Sequence, residues 1–279
     1  MRWTARLIKT AGGGKGMAGM PPERRNVLGV GIHPLTLSGA VELIGSWINS
    51  GSPVTRQVVT LNPEMLYRAQ SDPALRDLLN GADLVVPDGH GIVWAGRRLG
   101  CPFPERVAGI DLISSLAERG ARQGWRFYLL GAKPGVAAAA AENLCRSYPG
   151  LAIAGAEHGY FRKDELARVL AGIRAARPDL LLVGLGSPRQ EFFIWAHRRE
   201  LGVPVAIGVG GSFDVISGRL RRAPRILQRL RLEWLFRAIQ EPRRWRRLLV
   251  LPSYVLLVLR QPREGGCRGG KKVFQERKK

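Results

Sequence analysis

Residues 180–214 read LLLVGLGSPRQEFFIWAHRRELGVPVAIGVGGSFD. An apolar run, Leu180–Leu185, meets a Gly-Ser-Pro turn. An amphipathic stretch, Arg189–Leu201, leads to a second apolar run, Val205–Val209, which ends on glycines. Neither run alternates apolar with polar residues, as a strand buried on both faces would not. Two such runs joined by a helix-length segment form a βαβ unit, whose strands are parallel.

The same rhythm extends outward. Further strands are predicted at Val27–Ile32, Gln57–Leu61, Leu84–Pro87, Arg126–Leu130 and Leu151–Ala154. Helices are predicted at Leu37–Asn49, Pro63–Asn80 with a break near Asp72-Pro73, Gly91–Leu99, Ile110–Gly124, Gly135–Tyr148 and Lys163–Ala176. The expected fold is α/β: a mostly parallel, Rossmann-like sheet with helices on both faces. Ligands of such sheets bind beyond the carboxyl ends of the strands, and small polar residues gather there: Asn62, Asp88-Gly89-His90-Gly91, Gly131-Ala132-Lys133, Gly186-Ser187-Pro188 and Gly210-Gly211-Ser212.

The chain has 279 residues and a net charge of +22. Residues 27–218 hold 19 basic and 17 acidic groups, whereas Arg219 to Lys279 hold 19 basic and 4 acidic, and residues 1–26 hold 6 and 1. Four segments follow: a basic tail at 1–26 expected to lack structure, a catalytic core at 27–218, an arginine-rich amphipathic appendage at 219–262, and a second unstructured tail at 263–279. Within the appendage, Leu227, Leu230, Trp234 and Ala238 are spaced as one helical stripe. Leu248–Leu259 (LLVLPSYVLLVL) is too short to span a bilayer, which takes ~20 apolar residues, but long enough to lie in its interface. Beside Trp234, Trp245 and Tyr254, the basic surface favours anionic membrane over nucleic acid, since the apolar run has no use on DNA. Cys101, Cys145 and Cys267 form no CxxC pair, and the histidines lack metal-ligand spacing. No signal peptide, cofactor motif or DxD metal motif is present, so no metal or cofactor is expected.

Asp88 ends a buried strand in VVPDGHG and fits a general base; capping the next helix competes with that role. Thr60 and Asn62 end another strand and either bind substrate or cap. Arg106 in PERVAG suits phosphate or plain solvent exposure. The turn at 184–191, with Arg189 and Gln190, leads into a helix N-terminus of the kind that binds phosphate.

Together, TLNPEMLYRAQSDPALRDLLNGADLVVPDGHGIVWAGRRLG (60–100), PERVAGIDLI (104–113), GLGSPRQEFFIWAH (184–197), GVGGSFDVISGRLRRAP (208–224) and LEWLFRAIQEPRRWRR (232–247) resemble the WecG/TagA/CpsF family of glycosyltransferases. The resemblance implies transfer of N-acetylmannosamine or a related sugar, with inversion, from a UDP-sugar donor to undecaprenyl-diphosphate-linked N-acetylglucosamine, in teichoic acid or other surface-polysaccharide synthesis. It implies Asp88 as the base and Thr60, Asn62, Arg106 and Gln190 as substrate-binding residues. Arg237, Arg244 and Arg247 of the appendage would close over the donor pyrophosphate. The expected place of work is the inner face of the cell membrane. A nucleotide-sugar epimerase, a non-catalytic nucleic-acid binder and a homo-oligomeric state stay open on the sequence.

Overall fold

The computed structural model describes residues 19–51, 53–230, 232–241 and 245–262. The strands are β1 Arg25–Val27, β2 Val30–Ile32, β3 Arg56–Leu61, β4 Leu84–Pro87, β5 Arg126–Gly131, β6 Ala152–Glu157, β7 Leu180–Gly184 and β8 Val205–Gly208. The helices are α1 Leu37–Ser50, α2 Pro63–Arg68, α3 Pro73–Gly81, α4 His90–Arg98, α5 Gly109–Gln123, α6 Val136–Ser147, α7 Leu166–Ala176, α8 Arg189–His197, α9 Ser212–Ile216, α10 Arg225–Arg229, α11 Glu233–Gln240, α12 Trp245–Leu248 and α13 Val250–Arg260.

β3–β8 form one parallel sheet in the order β4-β3-β8-β7-β5-β6. Side chains of alternate strand residues serve opposite faces. Val58, Leu84, Val86, Phe127, Leu129, Leu182 and Ile207 pack with α1, α5 and α6. On the other face Val59, Leu61 and Val85 pack with α2, α3 and α4, and Leu130, Leu181, Val183 and Ala206 pack with α7 and α8. Burial on both faces explains the unbroken apolar runs. From β3 the chain moves to the edge strand β4, while on β3's other side lies β8, the last strand of the sheet. The loops that follow β3, β4 and β8 therefore leave side by side at the carboxyl edge, the end at which ligands of such sheets bind.

Three expectations need correction. First, Val27–Ile32 is two antiparallel strands joined by Leu28 and Gly29 at φ 53° and 80°. The turn carries no Asn-Gly signal; Asn26 closes it from the side, its Oδ1 accepting the Gly29 N–H at 2.9 Å. The hairpin also reaches into the segment expected as a tail. Arg24 donates to the carbonyls of Asn80 and Ala82 and to His33 Nε2, and the His33 N–H joins the hairpin to β4 through Val85 O at 2.8 Å. Second, the appendage is not one helix: α10 and α11 are separate, so Leu230 and Trp234 are exposed whereas Ala238 is buried. The sequence carries no Gly or Pro at the break. Third, the LLVLPSYVLLVL run is only half available to a membrane. Tyr254 and Val258 on α13 are buried in the cluster with α2 and α4, and Tyr254 Oη donates to Gly91 O at 3.1 Å. Pro252 falls in the first turn of α13, where it removes no helical bond. No helix of the described residues is long and apolar enough to cross a membrane.

His33 is buried with its Nε2 facing the Arg24 donor. Burial first, then the Arg24 charge, lowers its pKa to about 4, against a backbone hydrogen bond to Val85 that acts the other way. The folded protein therefore resists protonation of this ring. The stability so gained is present above the ring's unfolded pKa, ~6.5, and is lost as pH falls toward 4. Urea denaturation of wild type and His33→Gln should show their stability difference shifting against wild type by about 3 kcal/mol between pH 7 and pH 4. A difference that stays flat across this range contradicts the assignment.

Candidate functional site

The carboxyl ends of β3, β4 and β8 converge with the N-terminus of α5. Asp88 follows β4, and its N–H donates to Leu61 O at 2.8 Å, which extends the β3–β4 ladder by one residue. Gly89, at φ 99°, takes the chain into α4 and is itself the cap residue of that helix. Asp88 thus does not cap α4, as one reading of the sequence had it. Its Oδ2 accepts the N–H of Gly109, the first residue of α5, at 3.3 Å. The positive end of the α5 dipole therefore faces the carboxylate. Gly91 permits this close assembly: a Cβ there would lie 2.6 Å from Pro63 Cγ.

Thr60 is nearly buried, and its Oγ1 donates to Gly208 O at 3.2 Å, tying β3 to the end of β8. It also borders Gly109, so Thr60 and Asp88 flank the same helix start. Asn62 caps α2, with Oδ1 accepting the Met65 N–H at 2.9 Å and Pro63 in the first turn. Gln190 is buried in the first turn of α8; its Oε1 accepts the Gly210 N–H at 3.0 Å and its Nε2 donates to Glu191 Oε1 at 2.7 Å. Arg189 is exposed.

Arg106 lies in the loop between α4 and α5, anchored where the Val107 N–H meets Pro87 O at 2.9 Å. Its guanidinium donates to Glu233 of α11 at 2.9 Å and stands 3.8 Å from Asp111 of α5. Arg222 reaches the same two carboxylates from the segment before α10. Burial disfavours the Arg106 charge, but the hydrogen bond and charge of Glu233, with the charges of Asp88 and Asp111, outweigh it and raise the pKa above the usual arginine value. Two arginines and two carboxylates thus fasten the appendage beside Asp88. Of the three appendage arginines singled out in the sequence, Arg244 lies outside the described residues, as do the side chains of Arg237 on α11 and Arg247 on α12.

The structure therefore gathers Thr60, Asp88 and Gly109, with Arg106 coupled to Asp88 through its charge. Gly109, Asp111, Arg222 and Glu233 were not singled out in the sequence. The PERVAGIDLI block held a signal for Gly109, because a glycine opening an amphipathic run offers a free N–H. A groove of ≈ 620 Å³ between α1 and α5, bordered by Val41, Glu42, Arg119 and Arg122, contains none of these residues. Among the described residues no three His, Cys, Asp or Glu side chains come together as a metal site.

The Glycosyl transferase WecG/TagA/CpsF family profile matches residues 25–267. An N-acetylglucosaminyldiphosphoundecaprenol N-acetyl-beta-D-mannosaminyltransferase of Bacillus spizizenii is 41% identical over 206 residues, 74% of this chain and 79% of that protein. Its counterpart of the same name in Bacillus subtilis is 38% identical over 204 residues, 73% and 79% of the two chains. The Staphylococcus aureus (strain MW2) protein of that name is 33% identical over 239 residues, 86% and 93% of the two chains. With the parallel sheet and its polar carboxyl edge, these matches make the chain a member of the glycosyl transferase WecG/TagA/CpsF family.

Proposed function

We propose that the protein transfers N-acetylmannosamine, or a closely related sugar, from a UDP-sugar to N-acetylglucosamine carried on undecaprenyl diphosphate, with inversion and without a divalent metal. The family membership and the names of the relatives support the acceptor and the sugar. The observation that carries the chemistry is Asp88, a carboxylate at the sheet's carboxyl edge, held by the Gly109 N–H and flanked by Thr60.

Inversion takes a single displacement. Asp88 accepts the proton of the acceptor hydroxyl as its oxygen attacks the anomeric carbon, and the bond from that carbon to the UDP oxygen breaks. The leaving diphosphate carries off the negative charge. Arginines supply the compensation that a metal gives elsewhere: Arg106 at the core, and Arg237, Arg244 and Arg247 from the appendage. Thr60 and Asn62 orient the sugars, and Gln190 contributes through the backbone it holds at 208–211.

The lipid-linked acceptor places the reaction at a membrane surface. Leu249, Leu256 and Leu259 are 75%, 54% and 47% exposed along one side of the α13 region, and Ile226, Leu230, Trp234, Ile239 and Trp245 are exposed in the segment that precedes it. These exposed apolar side chains, in a segment whose sequence is rich in arginine, suit the acyl boundary and anionic headgroups of a membrane. Peripheral association with the inner face of the cell membrane follows.

Asp88→Asn should fold as wild type by its melting curve yet lose transfer by roughly 10²–10⁴-fold, read as UDP release with a lipid-diphosphate-N-acetylglucosamine acceptor. More than half of wild-type turnover would reduce Asp88 to a tether for α5. Replacing Leu249, Leu256 and Leu259 together with Ser should weaken sedimentation with anionic vesicles about tenfold or more, since each leucine forfeits on the order of 1 kcal/mol of burial. Unchanged sedimentation would remove α13 from the membrane contact.

A further inference from the structure

Behind the site lies a buried polar layer, one member of which, Glu191, has no part in the mechanism above. Glu191 is 1% exposed and Gln190 3%. A run of polar contacts leads from them to the edge. Gln57 Nε2 donates to Glu191 O at 3.0 Å, the Gln190 carboxamide bridges Glu191 Oε1 and the Gly210 N–H, and Gly208 O receives the Thr60 hydroxyl. Gly208 is glycine because the layer fills its side-chain space: a Cβ would stand 2.7 Å from Gln190 Nε2 and 2.9 Å from Glu191 Oε1.

A carboxamide has a donor end and an acceptor end of nearly the same shape. The Gly210 N–H needs the acceptor end. An oxygen at Glu191 claims the donor end, so the two contacts together fix how Gln190 faces; without the Glu191 oxygen the carboxamide is held at one end only. We infer that Glu191 is a positioning residue for the transferase: its side-chain oxygen fixes the Gln190 carboxamide, which holds the 208–211 backbone and, through Gly208, the Thr60 hydroxyl beside Asp88. Burial raises the Glu191 pKa, although hydrogen bonds from Gln190, its own backbone and Ser187 act against this. The orienting role needs an acceptor oxygen and no negative charge, so a glutamine can fill it.

This inference rests on the proposed transfer for its kinetic readout. The experiment compares Glu191→Met, Glu191→Gln, Gln190→Ala and the Glu191→Met/Gln190→Ala pair in the full chain. Transfer is measured as above, and hydrogen exchange is measured at the Gly210 amide. Glu191→Met should lower kcat tenfold or more and speed Gly210 exchange at least tenfold. Glu191→Gln should stay within threefold of wild type in both. The double variant should be no slower than Gln190→Ala alone, because Glu191 acts through Gln190. Glu191→Met with wild-type turnover, Glu191→Gln as impaired as Met, or losses that multiply in the double variant would overturn it. If Glu191→Met does not fold, Glu191→Gln decides by itself: wild-type turnover and exchange uphold the inference, and a tenfold change in either overturns it. Wild-type protein inactive on the lipid acceptor would strike the proposed function, while the exchange data would still judge Glu191.

Discussion

A parallel sheet covered on both faces leaves little room for polar chemistry except at its ends, and this constraint organises the whole molecule. The core strands spend nearly every side chain on packing, with Thr60 and Gln57 as buried polar exceptions. Functional groups are therefore pushed past the carboxyl ends, where glycines let the chain turn and helix N-termini offer free N–H groups. Asp88, Gly109, Thr60 and the 208–211 backbone meet there because β3 lies between β4 and β8.

The C-terminal segment is fastened to this edge by two different forces. Tyr254 and Val258 enter a hydrophobic cluster of the core, while Glu233 and Arg222 exchange charges with Arg106 and Asp111. Apolar burial fixes α13 regardless of salt, whereas the partly exposed ion pairs are open to competition from other anions. The side of α13 turned away from the core stays apolar, with Leu256 and Leu259 exposed.

The sheet was legible because burial on both faces writes itself as continuous apolar runs, and β3, β4, β5, β7 and β8 follow those runs closely; the edge strand β6, only partly buried, runs on to Glu157 past the expected Leu151–Ala154. The hairpin was not, since Leu28 adopts a left-handed backbone that nothing in VLGVGI announces. The appendage misled for a related reason: a helical spacing from Leu227 to Ala238 survives in the sequence although the chain breaks between α10 and α11. At the site, Asp88 could be read from its place after a strand, but not its partner, because the Gly109 N–H comes from 21 residues away. Glu233 meets Arg106 across 127 residues, and no local pattern encodes such a meeting. Glu191 looked like one more polar residue at a helix start; its burial is a product of packing against β3 and β8.

In the proposed reaction a single carboxylate, Asp88, drives one displacement at this edge. The most direct test is the anomeric configuration of the product made from an α-linked UDP-sugar, read by the one-bond C1–H1 coupling in NMR. A single displacement gives a β-linked sugar on the lipid acceptor with one UDP released per transfer. An α-linked product would contradict it, because retention takes a second displacement or a front-face path for which Asp88 alone does not provide.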